Sequence, residues 1–174
     1  MRHLIGLTGP AGAGKDTVAA MLPKYFSKYA FAQPLKQTLE FLGIKEPRTR
    51  AEKEALLPGK TYSYRKAAQT LGTEWARQLD PNFWLDLARE AITPLRYCVV
   101  VTDVRFENEA SLIRELGGHI WHISGRRVEL LGDTASHESE RPVDFKDGDS
   151  IIQNTGTLQD LELQVQKLFG ELDG

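Results

Sequence analysis

The 174-residue sequence predicts a single α/β domain: a parallel β-sheet with helices packed on its faces. Three observations carry that reading. An apolar strand, Leu4-Ile5-Gly6-Leu7-Thr8, runs into Gly9-Pro10-Ala11-Gly12-Ala13-Gly14-Lys15 and then into a segment with helical apolar spacing. The run Tyr97-Cys98-Val99-Val100-Val101-Thr102 is apolar almost throughout, the pattern of a strand buried on both faces. Strand-like and helix-like segments alternate along the chain, the order expected of parallel strands joined by helical crossovers.

The elements follow in order. After Lys15, the stripe Val18, Ala19, Leu22 predicts a short helix that Pro23 stops. Residues 27–32 read as the second strand, and Pro34 opens a helix carried by Leu35, Leu39 and Leu42 up to Gly43. Residues 44–62 read as a charged, proline-punctuated connection. Tyr64, Ala67, Ala68, Leu71 and Trp75 predict one helix, interrupted in propensity at Gly72. Asp80-Pro81 caps the next, whose apolar face is Trp84, Leu87, Ala88 and Ala91, with Pro94 closing it. The strand at 97–102 comes next, then a helix on Phe106, Ala110, Ile113 and Leu116, and a fourth strand from His119 to Ser124. Polar residues 125–149 separate it from a short fifth strand, 150–153. Thr157 and Asp160 form a capping box for a last helix that buries Leu158, Leu161, Val165 and Leu168. Two insertions, about 33–93 and about 125–149, leave the C-terminal ends of strands, where open α/β sheets place their ligand crevice.

Composition narrows the function classes. Hydrophobic residues at 41%, charged residues at 26% and a formal charge of −2 describe an ordinary globular chain with no global attraction for nucleic acid or an acidic membrane. A charged substrate must be held by local arginines and lysines. Cys98 is the only cysteine, so an intramolecular disulfide is impossible, and its place in an apolar run predicts a buried thiol. His3, His119, His122 and His137 lack the compact spacing of a zinc site. With no leader-like segment, and no apolar run near the roughly 20 residues that span a bilayer, the expectation is a cytoplasmic protein.

The chemistry begins at the glycine-rich loop. Between a strand and a helix, Gly9, Ala11, Gly12, Ala13 and Gly14 can wrap a polyphosphate with inward backbone N–H groups, and Lys15 can reach its β- and γ-phosphates. A Ser or Thr usually follows that lysine to hold Mg²⁺; here Asp16 does, with Thr17 next. Asp16 is a hard oxygen ligand for Mg²⁺, and equally a favourable acidic residue at a helix start. Asp103, just past the buried strand, is the second anchor, either organising a nucleotide-bound metal or capping the next turn. Arg105 offers a fork of donors to a phosphate, or a surface pair with Glu107 or Glu109.

At this point the chain resembles the bacteriophage-type deoxynucleoside monophosphate kinases, a branch of the P-loop nucleotide kinases. The resemblance rests on Leu7 to Thr17, Phe31-Ala32-Gln33-Pro34-Leu35-Lys36, Arg65 to Trp75 with Phe83-Trp84, Thr102 to Glu109 and, more weakly, Asn154-Thr155-Gly156-Thr157-Leu158. It implies a P-loop kinase fold with a five-stranded parallel sheet, a helical insertion that binds the nucleoside monophosphate (about 33–93) and a lid (about 125–149). It also implies the reaction dNMP + ATP → dNDP + ADP with Mg²⁺. Under that resemblance Arg65 clamps the acceptor phosphate, with Arg105 and Lys36 assisting. Gln69 can offer a donor and an acceptor to the base, although a polar helix exterior explains it almost as well, and Phe31, Trp75, Phe83 and Trp84 can wall the base, although core packing explains each aromatic as well. Arg126 and Arg127, or Arg141, bring lid charge to the phosphates, and Asn154 and Gly156 flank the adenine. A homodimer is possible by analogy. The residues alone leave two rivals open: another small-metabolite P-loop kinase, and a nucleotide-binding ATPase or switch module.

Overall fold

The computed structural model describes residues 2–125 and 143–172. Arg126, Arg127 and Arg141, the candidate lid arginines, lie outside the described residues. Five strands, β1 (Leu4–Thr8), β2 (Ser27–Tyr29), β3 (Val99–Val104), β4 (His119–Gly125) and β5 (Ser150–Asn154), form one sheet in the order β2-β3-β1-β4-β5. Every neighbouring pair is parallel. β1 is central, and the chain crosses first to one side of it and then to the other, so the crevice at its C-terminal end is a topological switch point. The chain divides into two compact units, Met1–Ala30 with Arg89–Gly174, and Phe31–Ala88.

In the first unit, one sheet face presents Ile5, Leu7, Val100, Trp121, Ile123 and Ile152 to Val18 and Ala19 of α1 (Lys15–Met21) and to Leu161 and Val165 of α7 (Leu158–Leu172). On the other face Ile113 of α6 (Glu107–Glu115) closes on Gly6 beside Val104 and Ile120. The third strand starts two residues later than the apolar run suggests. Tyr97 is exposed, and Cys98, buried as expected, accepts a hydrogen bond at its Sγ from the His3 N–H before pairing begins. β2 is shorter than 27–32 because only Ser27 to Tyr29 pair with a neighbouring strand, on the edge of β3. The capping box at Thr157 forms as the sequence predicts, with Asp160 Oδ2 accepting from the Thr157 N–H at 2.8 Å.

The second unit holds α2 (Gln33–Phe41), α3 (Arg50–Glu54) and α4 (Tyr64–Gln69), and the chain leaves it through α5 (Phe83–Ile92). The segment 44–62 is more than a connection. Its Thr49-x-x-Glu52 spacing makes a full capping box and nucleates α3. The single helix expected over 64–75 is an α-helix only to Gln69; Thr70–Arg77 widens into a π-helix. Gly72 sits in that wide turn, where its carbonyl accepts the Trp84 indole N–H at 2.8 Å. Among the described residues no helix is long and apolar enough to cross a membrane.

A buried ionic knot fixes the stretch entering β5. Asp149, with 2% of its side chain exposed, takes both Arg114 Nε and Nη2 at 3.1 and 2.7 Å, and lies 3.0 Å from His122 Nε2. Glu107 draws in Lys146 and Arg114. Burial pushes the Asp149 carboxyl up, but the Arg114 hydrogen bonds, the Lys146 N–H and His122 outweigh it and hold it below the usual carboxylate range. A depressed carboxyl stabilises the fold fully above its unfolded pKa of about 4 and loses that contribution as pH falls through the folded value. Asp149→Ala is expected to lower stability by roughly 3 kcal/mol, since it removes the two-pronged partner of a largely buried arginine and leaves it only Glu107 and the Asp144 carbonyl. In urea titrations the difference from wild type should shrink as pH drops below about 4.

Candidate active site

The first unit builds a phosphate cradle from backbone. β1 hands the chain to residues 9–14, where Gly9, Gly12 and Gly14 have φ of 143°, 79° and 102°. At Gly9 an added Cβ would run into the Ile123 carbonyl, and at Gly14 into Asn154 Nδ2. No other residue fits either position without moving its neighbour. Gly125 at the end of β4 is pressed as closely against the loop, where a Cβ would come 2.8 Å from Ala13 O. Asn154 Nδ2 donates to that same oxygen at 2.9 Å. Lys15 folds back over the loop, donating from Nζ to Gly9 O at 2.7 Å and Pro10 O at 2.9 Å. Asp16 is exposed on the first turn of α1, and Thr17 beside it is half-buried.

β3 brings its acidic residue to the same edge through an irregularity. Gly6 pairs with Val101 but Thr8 pairs with Val104, so two residues of β1 oppose three of β3. Such a bulge re-aims the side chains within it, here Thr102 and Asp103. Asp103 acts on Tyr29 of the neighbouring strand: burial, and then the Asp103 charge, push the phenol up to about 12. Arg105 follows on the surface, its backbone N–H donating to Glu109 Oε2 at 2.8 Å, with Phe106 N–H adding a second bond at 3.2 Å. Glu109 is therefore a buried carboxylate that fixes the loop after β3. The sequence alone suggested a surface partner for the Arg105 guanidinium. Its position three residues past Phe106, at the third residue of a helix, was the available signal. Glu107 turns to Lys146 and Arg114.

Of the residues expected on the acceptor side, all but Arg105 fall in the second unit. Arg65 Nε lies 2.6 Å from Glu54 Oε1, with less than a quarter of its side chain exposed. Lys36 pairs with Glu46 at 3.1 Å, and Lys53 reaches the same oxygen at 2.5 Å. Burial pushes the Glu46 carboxyl up, but the hydrogen bonds and charges of the two lysines prevail and hold it low. Gln69 is half-buried at the end of α4. The aromatics form a chain of edge contacts, Trp75 to Phe83 at 6.0 Å and Phe83 to Trp84 at 4.9 Å between ring centroids. Phe31 and Trp84 are buried in this unit, while half of Trp75 is exposed. Asn154 stands on the phosphate loop, and Gly156 packs against Asp160 within the cap of α7.

A family model described as deoxynucleotide monophosphate kinase matches residues 41–165. A protein of Acanthamoeba polyphaga mimivirus, provisionally named a deoxynucleotide monophosphate kinase, is 32% identical over 93% of each chain. The chain belongs to the deoxynucleotide monophosphate kinase family. The deoxynucleotide monophosphate kinase of Escherichia phage RB69 is 30% identical across 63% of this chain and 46% of its own. Among solved structures, the shikimate kinase of Aquifex aeolicus superposes with a TM-score of 0.52 at 14% identity, covering 98% of this chain and 99% of its own. That likeness is one of fold. The protein is a phosphotransferase, a P-loop kinase of small metabolites.

The contacts at the loop make a direct prediction. Gly9→Ala forces a side chain into a left-handed backbone position and against a carbonyl, which destabilises the fold by about 1–3 kcal/mol. Thermal denaturation should show the loss, and nucleotide affinity measured by calorimetry should fall with it. A variant with wild-type melting and wild-type affinity would mean the loop tolerates another shape.

Proposed function

We propose that this kinase transfers the γ-phosphate of ATP to the 5′-phosphate of a deoxynucleoside monophosphate, giving dNDP and ADP. The observation that carries the reading is the preshaped phosphate loop, closed by Lys15 and braced by β4 and β5, in a chain of this family. Transfer between two phosphates needs no covalent nucleophile from the protein. It needs the acceptor oxygen aligned with the γ-phosphorus, the moving charge neutralised and water kept out. Lys15 and the loop amides take the donor polyphosphate. Arg65, with Lys36, takes the acceptor phosphate, and Arg105 adds a fork of donors on the donor-bearing unit. Gln69 and the exposed Trp75 face suit a base, while Asn154 and Gly156 suit the adenine side. Arg126 and Arg127, with Arg141 as the replacement, supply further positive charge from the segment between β4 and β5.

Asp16, Thr17 and Asp103 offer hard oxygen donors that fit Mg²⁺. Among the described residues no group of three or more His, Cys, Asp or Glu side chains converges on a metal position. Magnesium here would share its coordination with phosphate oxygens and neutralise charge on the β- and γ-phosphates.

A product-resolved assay with MgATP and matched dNMPs and NMPs tests the reading. Appearance of dNDP together with ADP supports it. ADP formed without a phosphorylated acceptor would instead indicate an ATPase, and phosphorylation confined to other metabolites would move the acceptor class. Lys15→Ala should reduce transfer by roughly 100-fold or more while the domain stays folded. Arg65→Ala should raise the dNMP KM by roughly 30-fold and leave ATP binding without acceptor nearly unchanged. A selective loss of ATP binding would put Arg65 on the donor side.

A further inference from the structure

The second unit contains a polar atom that its own packing leaves unanswered. Tyr64 opens α4 with only 4% of the residue exposed, and its hydroxyl has no hydrogen-bond partner among the described residues. A hydroxyl buried this way gives up water without replacement, so phenylalanine would pack as well and leave the fold more stable. A sequence that keeps the oxygen has a use for it outside the arrangement described.

The surroundings indicate the use. Glu46 and Glu40 lie close enough to act on the phenol, which burial first and then those two charges push up to about 12. Tyr64 is therefore a hydrogen-bond donor throughout the neutral range. Glu46 is also the carboxylate on which Lys36 and Lys53 converge. Arg65, the next residue, is held by Glu54 in an ion-pair approach that leaves its Nε without an aligned hydrogen bond. Each cation of this unit that a phosphate would want is thus held by a partly exposed carboxylate. Such pairs are weak and exchange readily. A phosphate, with more charge and three acceptor oxygens, competes well for two ammonium groups and a neutral donor.

We infer that the Tyr64 hydroxyl and Lys53 join Lys36 in the subsite for the acceptor's 5′-phosphate, the phosphate displacing the Glu46 carboxylate from between the two lysines. This rests on the acceptor reading of the second unit given above. It adds two binding groups, and it assigns Glu46 the part of an internal stand-in for the substrate anion.

Affinity for a dNMP that the wild type phosphorylates, and for its parent deoxynucleoside, tests the inference by calorimetry on the full chain. The ratio of the two affinities isolates the phosphate contribution. Tyr64→Phe should melt at or above the wild-type temperature, reduce that ratio by about five- to tenfold, and leave deoxynucleoside and ATP affinities unchanged. Glu46→Gln should move dNMP affinity the opposite way, since it frees the lysines. A folded Tyr64→Phe with an unaltered ratio overturns the inference. So does an equal loss for the deoxynucleoside, which would put the hydroxyl on the base or sugar, or a failure to fold, which would make it structural. If the wild type binds ATP but no dNMP, the proposed acceptor class itself is wrong and this subsite falls with it. Phosphorylation of dNMP by both proteins with equal KM would reject the subsite alone.

Discussion

The Ile123 carbonyl stands so close to Gly9 that no side chain fits there, the Asn154 amide lies as close to Gly14, and through these contacts the phosphate loop packs against β4 and β5. A glycine-rich segment left to itself samples many backbone states, and ordering it on a ligand subtracts from binding. Here the ordering is supplied by the sheet. β1 delivers the loop at the centre, β4 lays Gly125 beneath it, and β5 reaches across with Asn154 to the Ala13 carbonyl. The order β2-β3-β1-β4-β5 is what makes this possible, because it places β4 between the strand that carries the loop and the strand that braces it.

Carboxylates do much of the remaining positioning, and they do it through backbone and cations alike. Glu109 holds the amides after β3, next to the bulge that re-aims Asp103. Asp149 and Glu107 tie Arg114, His122 and Lys146 together where the chain enters β5, so the strand that braces the loop is itself anchored to α6 and β4. In the second unit Glu46 and Glu54 occupy Lys36, Lys53 and Arg65.

Much of this was legible from residue order. The strand–loop–helix at 4–21, the alternation of strands and helices and the capping box at Thr157 depend on local patterns, and local patterns survive into the fold. The α3 cap at Thr49 and Glu52 was equally local; the charge and prolines around it masked the signal. What could not be read was set by contacts distant in sequence. The bulge in β3 exists only against β1, and Gly125 matters only because Ala13 lies against it. The π-helix over Thr70–Arg77 accompanies an indole bond from Trp84, 12 residues beyond Gly72. Tyr64 reads as an ordinary apolar helix position until the lack of a partner for its hydroxyl among the described residues is seen. The roles of Phe31 and Trp84 illustrate the same limit, since an aromatic spacing describes a core and a base-binding wall equally well.

One side-chain bond, from Asn154 to the Ala13 carbonyl, lets β5 shape the phosphate loop. Calorimetric titration of ATP into the wild type and Asn154→Ala measures it most directly. The account predicts about tenfold weaker binding, the scale of one lost hydrogen bond to a backbone carbonyl, at a nearly unchanged melting temperature. Equal affinity for the two proteins would contradict it, and would mean that the loop keeps its shape without help from the fifth strand.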